Sequence, residues 1–460
     1  MRCERVRRRA KPGALTTPAP LTPRLIPTLL ITMLVTLSLA ACGGSARLPV
    51  EAGMGEHPAI PAPTRSWLPS VALPRAIGWP AGTTPRAAAG LRVTRLAAGL
   101  AHPRWLYVLP NGDVLVAESF GPGSAADQKG LFGALSRLAM QRVGSVGVSA
   151  DRITLLRGVD GSGAAITRSV FLSGLHSPLG MARVGENFYV ANTDAVMKFP
   201  YRGGEVNITA PGEKVTALPA GARNHHWTKN LLASRDGTKL YVSVGSNSNV
   251  AENGMAAEFE RACVWEVDLA TGHHRIYASG LRNPVGMAWE PHGGALWTVV
   301  NERDELGNDV PPDYMTAVQD GGFYGWPYSY FGQHVDARVT PARTDLVARA
   351  LVPDYALGPH TASLGLTFAS GDALPPPWRE GAFVGQHGSW NRRPVSGYQV
   401  LFIPFRNGRP AGSPRVVLDG FLNADGEAMG RPAGVAMDAQ GALLVADDVG
   451  GTVWRVSAAR

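Results

Sequence analysis

The chain is short of cysteine, of charge and of long helical patterns. Cys3, Cys42 and Cys263 are its only cysteines in 460 residues, too few and too far apart for a disulfide framework or a cysteine-based metal site. Charged residues make up only 17%, and 55 glycines and 36 prolines punctuate the chain, which excludes a coiled coil. A hydrophobic share of 45% excludes bulk disorder. No HExxH, GxSxG, P-loop or strand-linked GxGxxG constellation is present, so zinc-protease, serine-hydrolase and nucleotide-binding readings lack their motifs. Stability must therefore come from a hydrophobic core, for which the length is ample.

What is present begins with a formal net charge of +8, which invites a nucleic-acid partner until its location is examined. Arg2, Arg5, Arg7, Arg8, Arg9, Lys11 and Arg24 crowd the first segment against Glu4 alone. An apolar run from Leu25 to Ala41 follows, interrupted by Pro27 and too short for a good membrane span. Basic start, short apolar stretch and small residues before a cut describe a secretory signal. Leu39-Ala40-Ala41-Cys42 resembles a bacterial lipobox, in which Cys42 becomes the lipidated first residue; the alternative is an ordinary cut near Ala41. Beyond residue 42 the count is 37 basic against 35 acidic residues, a net +2, and the nucleic-acid reading loses its support. The expectation is an exported, periplasmic or cell-envelope lipoprotein, anchored to the outer membrane through Cys42 alone. Residues 43–90 carry eight prolines and little periodicity, as a tether or irregular arm would.

From residue 91 one phrase recurs: a Gly-Leu-x-x-Pro lead-in, a Gly-containing turn, and a strand ending in polar residues. Gly99-Leu100-Ala101-His102-Pro103, Gly174-Leu175-His176-Ser177-Pro178 and Gly280-Leu281-Arg282-Asn283-Pro284 are the clear copies. Looser ones precede Lys239-Leu240-Tyr241-Val242, Gly381-Ala382-Phe383-Val384 and Ala442-Leu443-Leu444-Val445. Six paired-strand units with similar lead-ins predict an all-β, six-bladed β-propeller over 91–460. A β-sandwich array would leave the recurring lead-ins unexplained.

In a propeller the loops at one end converge on the axis, so residues just before inner strands are the ones to weigh. His225 and His226 offer a general base near neutrality, or two imidazoles bonded only to loop carbonyls. Arg282 and Asn283 offer a fork for carboxylates beside an amide, or an inter-blade ion pair. Arg431 occupies a similar place in the last unit. The string Asn301-Glu302-Arg303-Asp304-Glu305 is dense in charge and reads as an oxygen-rich cation site or a solvated loop.

Tyr277-Ala278-Ser279-Gly280-Leu281-Arg282-Asn283-Pro284-Val285-Gly286 together with Gly321-Gly322-Phe323-Tyr324-Gly325-Trp326-Pro327 resembles the signature of the soluble PQQ-dependent sugar dehydrogenases. With His225-His226-Trp227-Thr228-Lys229-Asn230, the likeness is closest to the sorbosone dehydrogenase-type branch. The resemblance spans residues 91–457. It implies pyrroloquinoline quinone (PQQ) on the propeller axis with Ca²⁺, and oxidation of an aldose or sugar aldehyde at C1 for an external electron acceptor. By the same resemblance His226 is the base, with His225 where some members carry an acid. Arg282, Asn283, Arg431 and, on the fifth blade, Arg392 meet the cofactor, while Asp304 and Glu305 are candidates at the calcium. Ala433 stands where some members have a second arginine, and a cofactor-lining glutamine has no match near Leu175-His176. Two other readings stay open at this point. One is a metal-dependent lactonase propeller, and the other a non-catalytic lipoprotein that binds glycan or a partner.

Overall fold

The computed structural model describes residues 44–64, 70–122 and 140–459. The expected lipidation site, Cys42, lies outside the described residues. Six four-stranded antiparallel units succeed one another along the chain, each starting at the strand the repeat predicts. Their innermost strands are Pro103–Val108, Met181–Val184, Lys229–Ala233, Pro284–Trp289, Ser363–Phe368 and Pro432–Met437, and they number blades 1 to 6. Blade 6 is closed by the earliest of its strands: Leu91–Ala97 pairs with Thr452–Ala458, joining the two ends of the ring. The protein is a six-bladed β-propeller.

Period-two alternation explains why the blades stack. In blade 4, Trp297 and Val299 pack toward blade 5, whereas Leu296 and Val300 pack toward blade 3. Blade 6 repeats the arrangement, with Leu443 and Val445 facing blade 5 and Leu444 and Ala446 facing blade 1. Six apolar clusters result, each shared by two neighbouring blades, so both faces of each middle strand are buried. Near the axis the inner strands approach too closely for side chains. A Cβ on Gly180 would sit 2.3 Å from the Leu231 nitrogen of the next blade, and one on Gly434 would meet the Arg104 carbonyl at 2.8 Å.

The described part of 43–90 is an irregular arm lying on the propeller. Met54–Gly55 adds an outer strand to blade 4 and Arg86–Ala87 adds one to blade 5. Between them the Thr64 and Ala72 N–H groups donate to the Leu306 and Trp390 carbonyls.

Candidate active site

Each lead-in to an inner strand and each connection from a blade's second to its third strand falls at the same end of the ring. These segments enclose a cavity of about 320 Å³. His225, His226, Arg282, Asn283, Arg431 and Asp304, six of the eight protein-site candidates read from the sequence, all line it.

His226 precedes the inner strand of blade 3. Its Nδ1 lies 2.7 Å from the Ser246 carbonyl, which can only accept, so Nδ1 carries the proton and Nε2 keeps its lone pair. Burial, then the nearby Arg282 charge, depresses the imidazolium well below the ordinary histidine value, although the Ser246 bond opposes the shift. The ring is neutral at neutral pH. Behind it, the buried Lys229 Nζ donates to the His226 carbonyl at 3.0 Å and fixes the turn. His225 stands beside it on the cavity wall, exposed.

Arg282 is buried and held on three sides. Its Nη1 donates to the Asn301 and Glu302 carbonyls at 3.2 and 2.7 Å, and Nε and Nη2 bond the carbonyl and side-chain oxygens of Asn249. Next to it the Asn283 Oδ1 is buried without a hydrogen-bond donor. Gly245 packs against Asn283 and His226: a Cβ there would be 2.3 Å from Asn283 Oδ1 and 2.6 Å from His226 Cβ. Arg431 donates to the His387 and Gly388 carbonyls and to the Tyr398 hydroxyl through Nε and Nη2. Its Nη1 has no protein partner among the described residues.

The cavity also contains a group that the sequence reading missed. Asp448 accepts from Arg104 and from His387 Nε2, the latter at 2.8 Å, with His102 Nε2 at 3.5 Å. Burial would raise this carboxyl, but His387, His102 and Arg104 hold it well below the usual range. Burial also drives His387 down to about 4 and lowers His102 and His360. The imidazoles are thus neutral, and the standing positive charge of the site belongs to Arg104, Arg282 and Arg431. The signal for His102 was in the repeat itself, since Gly99-Leu100-Ala101-His102-Pro103 puts it in register with Asn283.

Two candidates are corrected. Arg392 does not line the cavity. Its guanidinium donates to the carbonyls of Asn308, Pro394 and Leu48, tying arm and loop together, while its neighbour Asn391 turns inward. Glu305 points away as well: it adopts a left-handed φ of 70°, its side chain is 65% exposed, and its nearest cation is Arg338 at 3.8 Å.

The arrangement suits a flat polyanion with carbonyl edges. Three guanidinium groups outnumber the two carboxylates, Asp304 and Asp448, that line the cavity with them, and the Arg104 Nε is a buried donor without a partner. PQQ, a planar tricarboxylate, fits this donor set. Calcium does not fit the loop proposed for it. The Asp304 carbonyl already accepts from Arg338 Nη1 at 2.9 Å and Asn249 Nδ2 at 3.2 Å, and the Asp304 carboxylate from Asn391 at 2.6 Å. Among the described residues no group of three or more His, Cys, Asp or Glu side chains converges as metal ligands do.

Known families and solved structures match this chain. A family model described as TrAA12-like matches residues 145–320 and 332–459, and a Glucose / Sorbosone dehydrogenase model matches 266–389. A pyrroloquinoline quinone-dependent pyranose dehydrogenase of Coprinopsis cinerea is 25% identical over 233 residues, covering 41% of this chain and 31% of that protein. The chain therefore spans about a third of that relative's length. The solved holo PQQ domain of the Coprinopsis cinerea pyranose dehydrogenase superposes with a TM-score of 0.65 at 21% identity, over 81% of this chain and 97% of that one. A calcium structure of the Trichoderma reesei family AA12 enzyme gives 0.66 at 18%, over 85% and 98%. At these identities the structural likeness establishes the six-bladed fold. Matched over more than half its length, the chain belongs to the TrAA12-like family.

Proposed function

We propose that this protein is a PQQ-dependent oxidoreductase that oxidises an aldose or related sugar aldehyde at C1. The observation that carries the reading is His226, held as a single tautomer with Nε2 unprotonated, in a cavity ringed by Arg104, Arg282 and Arg431. When bound, PQQ would supply the two-electron acceptor that no side chain provides. Arg282, Asn283 and Arg431 would hold and orient it, with Arg104 completing the positive rim. His226 Nε2 would accept the proton of the C1 hydroxyl as the C1 hydrogen leaves with its electron pair, and the sugar departs as the lactone. The Ser246 carbonyl keeps Nδ1 protonated throughout and so stabilises the imidazolium as it forms. An anionic cofactor beside Arg282 would offset the charge that depresses His226, raising its basicity only in the loaded site. No step is routed through calcium, whose proposed loop does not fit it.

The finer placement in the sorbosone-type branch rests on the His225–Asn230 string. A lipid anchor at Cys42, a cell-envelope location and a quinone or cytochrome as external acceptor complete the proposal, supported by the sequence of residues 1–42 and by the chemistry of a two-electron site. A metal-dependent lactonase would be favoured by a cluster of acidic ligands, and among the described residues no three or more His, Cys, Asp or Glu side chains converge on one point. Purified protein reconstituted with PQQ should reduce an artificial dye in the presence of some member of an aldose panel. The activity should be absent from the PQQ-free protein and lost in His226→Ala. Lactone hydrolysis without PQQ, or no turnover by a protein that demonstrably holds PQQ, would overturn the reading.

A further inference from the structure

A cation is expected at Asn301–Glu305 on the quinone reading, yet six backbone carbonyls between Asn301 and Asn308 already accept hydrogen bonds. The Asn301 and Glu302 carbonyls accept from Arg282, and that of Asp304 from Arg338 and Asn249. The Leu306 carbonyl accepts from the Thr64 N–H, that of Gly307 from His360 Nε2 at 2.7 Å, and that of Asn308 from Arg392 at 3.0 Å. Most of the neighbouring side chains are committed as well, although Glu302 Oε1 is buried without a partner. Asp336 receives Arg338 through Nε and Nη2 at 2.9 and 2.7 Å and Arg303 Nη1 at 3.2 Å. Arg303, wholly buried, further donates to Glu302 and to the Pro327 and Ser329 carbonyls.

Calcium takes six to eight oxygens at about 2.3–2.6 Å, and each guanidinium offers five N–H donors in a fixed fork. The loop shows the second pattern. Loop carbonyls and the Glu302 and Asp336 carboxylates surround positive centres that are Arg303 and Arg338, with Arg282 and Arg392 at the flanks.

We propose that the chain's own guanidinium groups replace a divalent cation in this loop, so that the site is organised without calcium. Arg338 is the central member, bridging Asp336, the Asp304 carbonyl and the edge of Glu305. An arginine cannot be chelated away and keeps its charge at any working pH. The cofactor end of the cavity therefore holds its shape and charge in chelator, and Arg282 is fixed by carbonyls that need no metal to order them.

The test titrates calcium chloride into the PQQ-free protein by calorimetry and compares melting in millimolar calcium with melting in EDTA. The proposal expects no stoichiometric binding heat and the same melting temperature in both. Stoichiometric binding, or a calcium-dependent rise of several degrees, would overturn it. Arg338→Ala should melt lower in calcium and EDTA alike, with Arg338→Lys between it and the parent. An Arg338→Ala protein that melts like the parent would remove Arg338 from the role, and the wild-type titration decides the case if that variant does not fold. PQQ binding followed by quinone absorbance separates this proposal from the functional reading. Binding in EDTA supports both. Binding that requires calcium overturns the present proposal alone, and failure to bind in either buffer overturns the quinone reading alone.

Discussion

Gly245→Ala probes the spacing of His226 and Asn283 with a single methyl group. The residue follows strand Lys239–Val244 and precedes Ser246, whose carbonyl fixes the His226 tautomer. Its φ lies outside the left-handed region, so alanine brings no backbone strain and acts only through its Cβ. That atom would lie 2.3 Å from Asn283 Oδ1 and 2.6 Å from His226 Cβ, about 1 Å inside ordinary contact. His226 is anchored by its Ser246 bond, so the Asn283 amide must swing away or the two residues must separate. Overpacking of this size costs about 1–3 kcal/mol of stability. A displacement near 1 Å at the reacting centre costs about 100-fold in rate, or ~2.7 kcal/mol of barrier. Melting temperature, kcat and KM of the PQQ-reconstituted variant would be measured beside Gly161→Ala, a position where a Cβ meets nothing within 4 Å. The prediction is a kcat near 1% of the parent with modest destabilisation, and a silent control. A Gly245→Ala enzyme with parental kcat and melting would show that the spacing of His226 and Asn283 is irrelevant to turnover.

Three further outcomes follow from the same geometry. Because burial, the largest cause of the depression of His226, persists when PQQ offsets Arg282, the acid limb of kcat/KM should fall below the ordinary histidine value of about 6.5, and His226→Asn should lose about 10²–10⁴-fold; a limb at or above 6.5 contradicts the assignment. His387 is held down to about 4, so between that value and about 6.5 the unfolded chain binds a proton that the folded one refuses. Stability is then lost as pH falls through this window, by at most about 1.4 kcal/mol per pH unit from this group, and urea midpoints at two pH values should converge in His387→Gln. Arg431→Lys keeps the charge but loses the fork that bonds the His387 and Gly388 carbonyls, and PQQ affinity by fluorescence titration should drop about 10–100-fold.

The propeller was legible because each blade repeats a lead-in that geometry demands. The Gly-Leu-x-x-Pro phrase marks the turn onto an inner strand, and Gly180, Gly286 and Gly434 follow where neighbouring backbones touch. His226, Arg282, Asn283 and Arg431 were readable for the same reason, as polar residues at the axial end of such strands. Arg392 and Glu305 were misplaced because side-chain direction reverses from one residue to the next. Asn391 faces the cavity while Arg392 braces the arm, and Asp304 turns inward while Glu305 turns out. The His387–Asp448–Arg104 group escaped notice because it joins blades 5, 6 and 1, and only closure of the ring brings residues 104 and 448 together. The string Asn301–Glu305 reads as a cation site in sequence because its acids are local, whereas Arg338, which bonds the Asp304 carbonyl and Asp336, lies more than thirty residues downstream.

The central claim is that this ring of arginines holds PQQ beside His226. Isothermal titration of the purified PQQ-free protein with PQQ tests it most directly. The account predicts saturable binding at one site per chain, weakened by Arg431→Lys and by rising salt, and unaffected by EDTA. Absence of saturable binding, or binding indifferent to the loss of both Arg282 and Arg431, would contradict it.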